Sequence, residues 1–269
     1  MAHYLDRYLA GDREAVWDEL IALGDRVQQA PLLFDAQSVC REVVRRARNN
    51  IELLFNRLLK LGYQFADPNS AFVPARPDAA NKIAEIERRL GGLPLVVKAW
   101  YESMASVDFS QAKEQLQGPT GPDINGLGSH AELVMHSLDR CWESWLAICK
   151  EDEDHRKMML QIKKDNPEVY RTYPANARNP RPRDPFLPTG GAASNCDMKG
   201  FRLPSKSVDG VVYDDGEEIS LVELLRGCFE WGGFPFCKYY AAGNHPLPWE
   251  ARPNFEKLIP LLREGLVAV

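Results

Sequence analysis

Cys228, Cys237 and His245 are the residues of this sequence whose types most invite a reactive or metal-binding reading. Thiolate and imidazole are good zinc ligands, but gaps of nine and eight residues match no zinc-knuckle spacing, in which ligands come in close pairs. Core cysteines and a solvent-facing histidine are the plain reading of the trio, and a metal-binding protein or enzyme is the alternative. The other histidines, His3, His130, His136 and His155, fall in no H-E-x-x-H, and no G-x-S-x-G, Walker loop or G-x-G-x-x-G occurs. The common hydrolase, P-loop and dinucleotide-binding signatures are therefore missing. The expectation is a protein that is not an enzyme, with no catalytic residue, no metal and no cofactor.

Two stretches carry binding chemistry instead. Asp209, Asp214, Asp215, Glu217 and Glu218 place five carboxylates within ten residues, an acidic rim that would steer toward a basic partner such as a nuclease active site. WGGFPFCKYY, from Trp231 to Tyr240, supplies Trp231, Phe234, Tyr239 and Tyr240, aromatics of the kind that dominate interface energetics. A solvated turn and core packing are the respective plain readings. The basic face Arg41, Arg45, Arg46 and Arg48 could be a footprint for an anionic partner, but with Asp35, Glu42 and Glu52 nearby it reads as a solvated helix face.

These groups must be positioned by a chain of 269 residues with 45% apolar content, enough for a substantial core. The net charge of −5 argues against a general nucleic-acid or membrane-surface binder, both of which require a net basic face. The N-terminal MAHYLDRYLAGDREAVW has no signal-like apolar run, and no segment approaches a membrane span. A cytoplasmic protein is expected, and six scattered cysteines without C-x-x-C fit reduced, mostly buried thiols.

Periodicity supplies the elements. Val16, Trp17, Leu20 and Ile21 mark a first amphipathic helix within 11–29, with Asp12 placed to cap it. Val39, Val43, Ala47, Ile51, Leu54 and Leu58 mark a long second helix reaching Leu61-Gly62, with Asp35 as its capping candidate. A Pro- and Asp-rich linker over 66–79 separates this pair from the rest, giving an N-terminal helical segment, 1–66, and a core, 80–269. Within that core Ile83, Ile86 and Leu90 end at Gly91-Gly92, and Leu93-Pro94 opens a helix bearing Val96, Val97, Trp100 and Met104. The Ser106–Phe109 tail then alternates like a strand. A strand candidate at 131–138 precedes a helix at 139–150 with Leu138, Cys141, Trp142, Trp145, Leu146 and Cys149 inward, and a charged segment follows. Tyr170 to Asn195 is too rich in proline for a helix or central strand. Two strands around 197–218, a Ser220-capped helix and a closing helix that docks on the sheet complete the chain.

The pattern I-x-x-I-E-x-x-L-G-x-L-P, carried by Ile83, Ile86, Glu87, Leu90, Gly91, Leu93 and Pro94 and followed by Trp100 and Tyr101, resembles the SUKH superfamily, which includes a cell-wall synthesis regulator and bacterial toxin-immunity proteins. LVMHSL, the Trp-bearing helix, GFRLP and WGGFP follow in the same order. Where many members carry Asn-Gly after the aromatic helix, this chain has Ala105-Ser106, and its first two helices are additions to the common core. The resemblance implies an α+β fold, a mixed β-sheet packed by helices, here with an N-terminal helical pair. It implies a protein-binding role, most closely an immunity protein masking a toxin domain; an interaction scaffold unrelated to toxins is the remaining alternative.

Overall fold

The computed structural model describes residues 3–110, 133–178, 186–188, 200–214, 217–234 and 252–269. The fold is α+β, and its strands fall into two small antiparallel sheets. At its centre lies α3 (Leu32–Lys60), which buries the expected stripe of Val39, Val43, Ala47, Ile51, Leu54 and Leu58, widened by Ala36, Cys40 and Val44. Before it come α1 (Tyr4–Leu9) and α2 (Arg13–Ala22). The first helix of the sequence reading is thus shorter than expected: α2 stops at Ala22 and a 3-10 turn covers Gly24–Gln28, where Gly24 takes φ +51°. Ile21 faces solvent rather than the core.

Asp35 does not cap its own helix. It lies in the first turn of α3, and its carboxylate accepts the backbone N–H groups of Tyr4 (2.6 Å) and Leu5 (3.2 Å). It therefore satisfies orphan donors at the start of α1, an N-cap supplied by a neighbouring helix.

The corner forms as read. α4 (Ala79–Leu90) buries Ile83, Ile86 and Leu90, and α5 (Leu95–Ser103) buries Leu95, Val96, Val97, Ala99, Trp100 and Tyr101. Met104 opens β2 (Met104–Asp108) instead of closing the helix. β2 is the middle strand of the first sheet, between β1 (Phe72–Pro74) and β3 (Val134–Met135). Two features set the angle between α4 and α5. Glu87 Oε1 accepts the Leu93 backbone N–H and the Lys98 ammonium, each at 3.0 Å. Gly91 sits at φ +90°, and a Cβ there would lie 2.4 Å from Pro204 Cβ. Only glycine meets both demands.

α6 (Leu138–Asp165) runs through the charged segment as one helix of 28 residues. Its buried positions are Leu138, Cys141, Trp145, Ile148 and Met159. Leu146 and Cys149 are exposed, against the expected inward face, because the buried stripe follows Cys141, Trp145 and Ile148 at helical spacing. Trp142 is half-buried with the Arg89 guanidinium 5.0 Å over its ring.

α7 (Pro167–Thr172) and α8 (Ala175–Arg178) follow. The proline-rich arm supplies β4 (Phe186–Pro188), an edge strand of the second sheet, which continues through β5 (Gly200–Arg202), β6 (Val211–Asp214) and β7 (Glu217–Ser220). An edge is where a sheet tolerates proline. Ser220 ends β7 and caps α9 (Leu221–Glu230), its Oγ accepting Glu223 N–H at 3.1 Å.

The closing helix, α10 (Arg252–Arg263), docks on α3 rather than on a sheet: Arg57 donates to the Leu262 carbonyl at 2.7 Å, and Ile259 and Leu262 are buried. Gly232, at φ +63°, permits this approach, since a Cβ would meet Leu262 Cβ at 2.7 Å. One continuous apolar cluster runs from Tyr8 to Val269 and includes residues of the N-terminal helices and of both sheets.

Candidate functional site

The acidic rim divides. Asp209 is 5% exposed and belongs to the interior. Its Oδ2 accepts the Trp17 indole N–H at 2.9 Å and its Oδ1 accepts Gly210 N–H at 2.7 Å. Burial raises its pKa, while hydrogen bonds from Trp17, Ser220, Gly210 and Val222 partly offset that rise. Asp209 is therefore corrected from a docking residue to a structural tie between α2 and the second sheet.

Asp214, Glu217 and Glu218 lie on the β6–β7 hairpin. The register pairs Val211 with Ser220, Val212 with Ile219, Tyr213 with Glu218 and Asp214 with Glu217. Two acidic residues thus occupy directly opposed positions, a placement that costs stability in an antiparallel pair. β7 is an edge strand. Glu218 is exposed and forms an ion pair with Arg202 at 3.0 Å, both side chains more than half exposed. A pair so solvated contributes little to stability. Asp215 lies outside the described residues.

The aromatic stretch divides too. Phe234 is fully buried, its ring 5.9 Å from Tyr63 in an aromatic group that includes Phe55, Phe65 and Phe109. It is corrected to a core residue, because Gly233, at φ +103°, turns the chain inward after α9. Trp231 is half-buried, packed partly on the core. Tyr239 and Tyr240 lie outside the described residues, as do Cys237 and His245.

The buried thiols among the described residues show little reactive character. Cys228 is buried, and burial drives the Cys40 thiol pKa up. Cys141 is pushed up to about 12 by burial, and its Sγ lies 3.6 Å from Tyr101 Oη, a contact in which either group can donate. Tyr101 Oη donates to the His136 carbonyl at 3.0 Å. A protonated buried thiol is a poor nucleophile at neutral pH. Among the described residues, no group of three or more His, Cys, Asp or Glu side chains could hold a metal ion, and no helix is long and apolar enough to cross a membrane.

The basic face of α3 is ion-paired: Arg45 and Arg46 share Glu42, at 2.7 and 2.6 Å, Arg48 binds Glu52 at 2.8 Å, and Arg41 lies 4.0 Å from Glu102 of α5. Sequence reasoning missed Asn50, which sits on the buried stripe of α3 at 1% exposure. Its amide donates to the Val267 carbonyl at 2.7 Å and accepts the Val267 N–H at 2.8 Å. A polar residue interrupting an otherwise apolar helical stripe was the available signal. No family model, curated protein or solved structure matches the chain.

Proposed function

We propose that the chain is a non-catalytic protein-binding protein, most closely an immunity-type protein that masks a toxin partner, and that the β6–β7 hairpin is its contact surface. The observation that carries this reading is the opposed register of Asp214 and Glu217 beside the exposed Glu218. Like charges at paired strand positions disfavour folding, so the pairing of Asp214 with Glu217 on the edge strand β7 is better accounted for by a basic partner than by stability. The ordered resemblance from Ile83 to Pro235 supports the same class, and the buried, protonated state of Cys40 and Cys141 favours binding over nucleophilic chemistry. A cytoplasmic setting accompanies the proposal.

The test is a pull-down of the tagged chain with the products of its neighbouring genes, followed by kinetics on any partner recovered. Replacing Asp214, Glu217 and Glu218 together by lysine should lower the association rate by about ten- to a hundredfold at low salt, since rim charges act mainly through steering. Failure to bind any neighbour product, or a partner whose association rate ignores the three changes, would remove the reading.

A further inference from the structure

We propose that the cleft between the start of α2, the end of α9 and the last residues of the chain binds a phosphate-bearing small molecule. This cleft encloses about 840 Å³, within the range of small-molecule sites. Arg13, Arg226 and Arg263 line it, together with Phe229. Arg226 uses its Nε to donate to the Val269 carbonyl at 3.2 Å, which leaves the rest of its donor fork uncommitted to that bond. Arg13 and Arg263 make no ion pair among the described residues.

The start of α2 adds donors from the backbone. Asp12, at the N-cap position, makes no capping bond; its carboxylate is held by Arg7 at 2.6 and 2.9 Å. The first internal bond of the helix is Val16 N–H to the Asp12 carbonyl, so the N–H groups of Arg13, Glu14 and Ala15 are the orphans of a helix start. Residues 11–15 line the cleft. A helix N-terminus beside guanidinium groups is the combination that suits a phosphate, whose oxygens accept from several donors at once.

One buried polar atom adds support: Arg13 Nε, on a residue that lines the cleft, is buried and makes no hydrogen bond among the described residues. Native proteins rarely leave such an atom unsatisfied. The acids lining the cleft, Asp12, Glu14 and Glu230, are exposed, so solvent weakens their opposition to an anion.

Calorimetric titration of the full chain at physiological ionic strength tests this, with inorganic phosphate, a nucleoside 5′-monophosphate and the same nucleoside without phosphate as probes. One saturable site for a phosphate-bearing probe is expected, and none for the nucleoside. Tighter binding of the monophosphate than of inorganic phosphate would identify an organic ester as the ligand class; equal binding would identify free phosphate. Arg13→Gln and Arg263→Gln should each weaken binding about tenfold or more, as loss of a charge-assisted bond does. Their circular dichroism and unliganded melting temperature should match the parent, since neither side chain makes an ion pair among the described residues. Absence of saturable binding at millimolar phosphate, equal binding of the bare nucleoside, or unchanged affinity in both variants would overturn the proposal.

Discussion

The Trp17 indole N–H donates to Asp209 Oδ2 at 2.9 Å, joining residues 192 positions apart in a fully buried contact. This bond ties the N-terminal helices to the second sheet at a carboxyl group buried in the core. Trp17→Phe removes one of its donors and leaves a buried oxygen short of a partner, so a loss of about 2–4 kcal/mol is expected, read as a shifted urea midpoint.

The same carboxylate predicts a pH dependence. Its folded pKa is raised above the ordinary value of 3.8 by burial. Between those two values the unfolded chain has released its proton while the folded chain still holds one, so stability falls as pH rises through that window. It is greatest, for this group, below the unfolded value. Asp209→Asn removes the titration, and the stability difference between parent and variant should change across the window. Parallel curves would show that Asp209 does not titrate there.

Gly91→Ala should cost about 2 kcal/mol or more, because it combines a left-handed backbone with the approach of Pro204 Cβ to 2.4 Å. Gly11→Ala is the matched control: φ is +109°, but nothing lies within 4 Å of its Cβ position. Thermal melts should show the larger drop for Gly91, and the difference isolates the contact with Pro204. Equal drops would mean that Pro204 simply moves aside.

Asn50→Ala leaves the Val267 N–H and carbonyl without their amide partner. A loss of about 1–3 kcal/mol is expected, with exchange of the Val267 amide hydrogen accelerated at least about tenfold if the tail opens locally. Unaltered exchange would show that other contacts, such as Arg46 to the Ala268 carbonyl, hold the tail alone.

Thiol labelling separates the cysteines by burial. Of Cys40, Cys141, Cys149 and Cys228, only Cys149 is exposed. Iodoacetamide at neutral pH followed by peptide mapping should modify Cys149 and spare the other three until urea unfolds the chain. Early labelling of Cys141 would contradict its raised pKa and burial.

Much of the fold was legible in the residues themselves. The stripe from Val39 to Leu58 is a period of 3.6 interrupted by Asn50, and every member is buried. The α4–α5 corner was legible because Gly91 and Pro94 punctuate it chemically. The extent of α6 was not, since a run as charged as 151–157 has no apolar stripe to betray a helix; its continuity rests on Met159 and on propensity. The candidate site was half legible. An acidic run is visible in sequence, but whether each acid faces water depends on what packs against it.

The sequence alone determined which residues are apolar at helical or strand spacing, and thereby the α+β class and the long central helix, because period and punctuation are local properties of the chain. Tertiary structure decided the fate of individual polar groups. Asp209 and Glu218 are nine residues apart in one acidic run, yet one is sealed beneath Trp17 and the other is solvated beside Arg202. The cost of a carboxylate is set by the solvent and donors around it, and those come from distant parts of the chain.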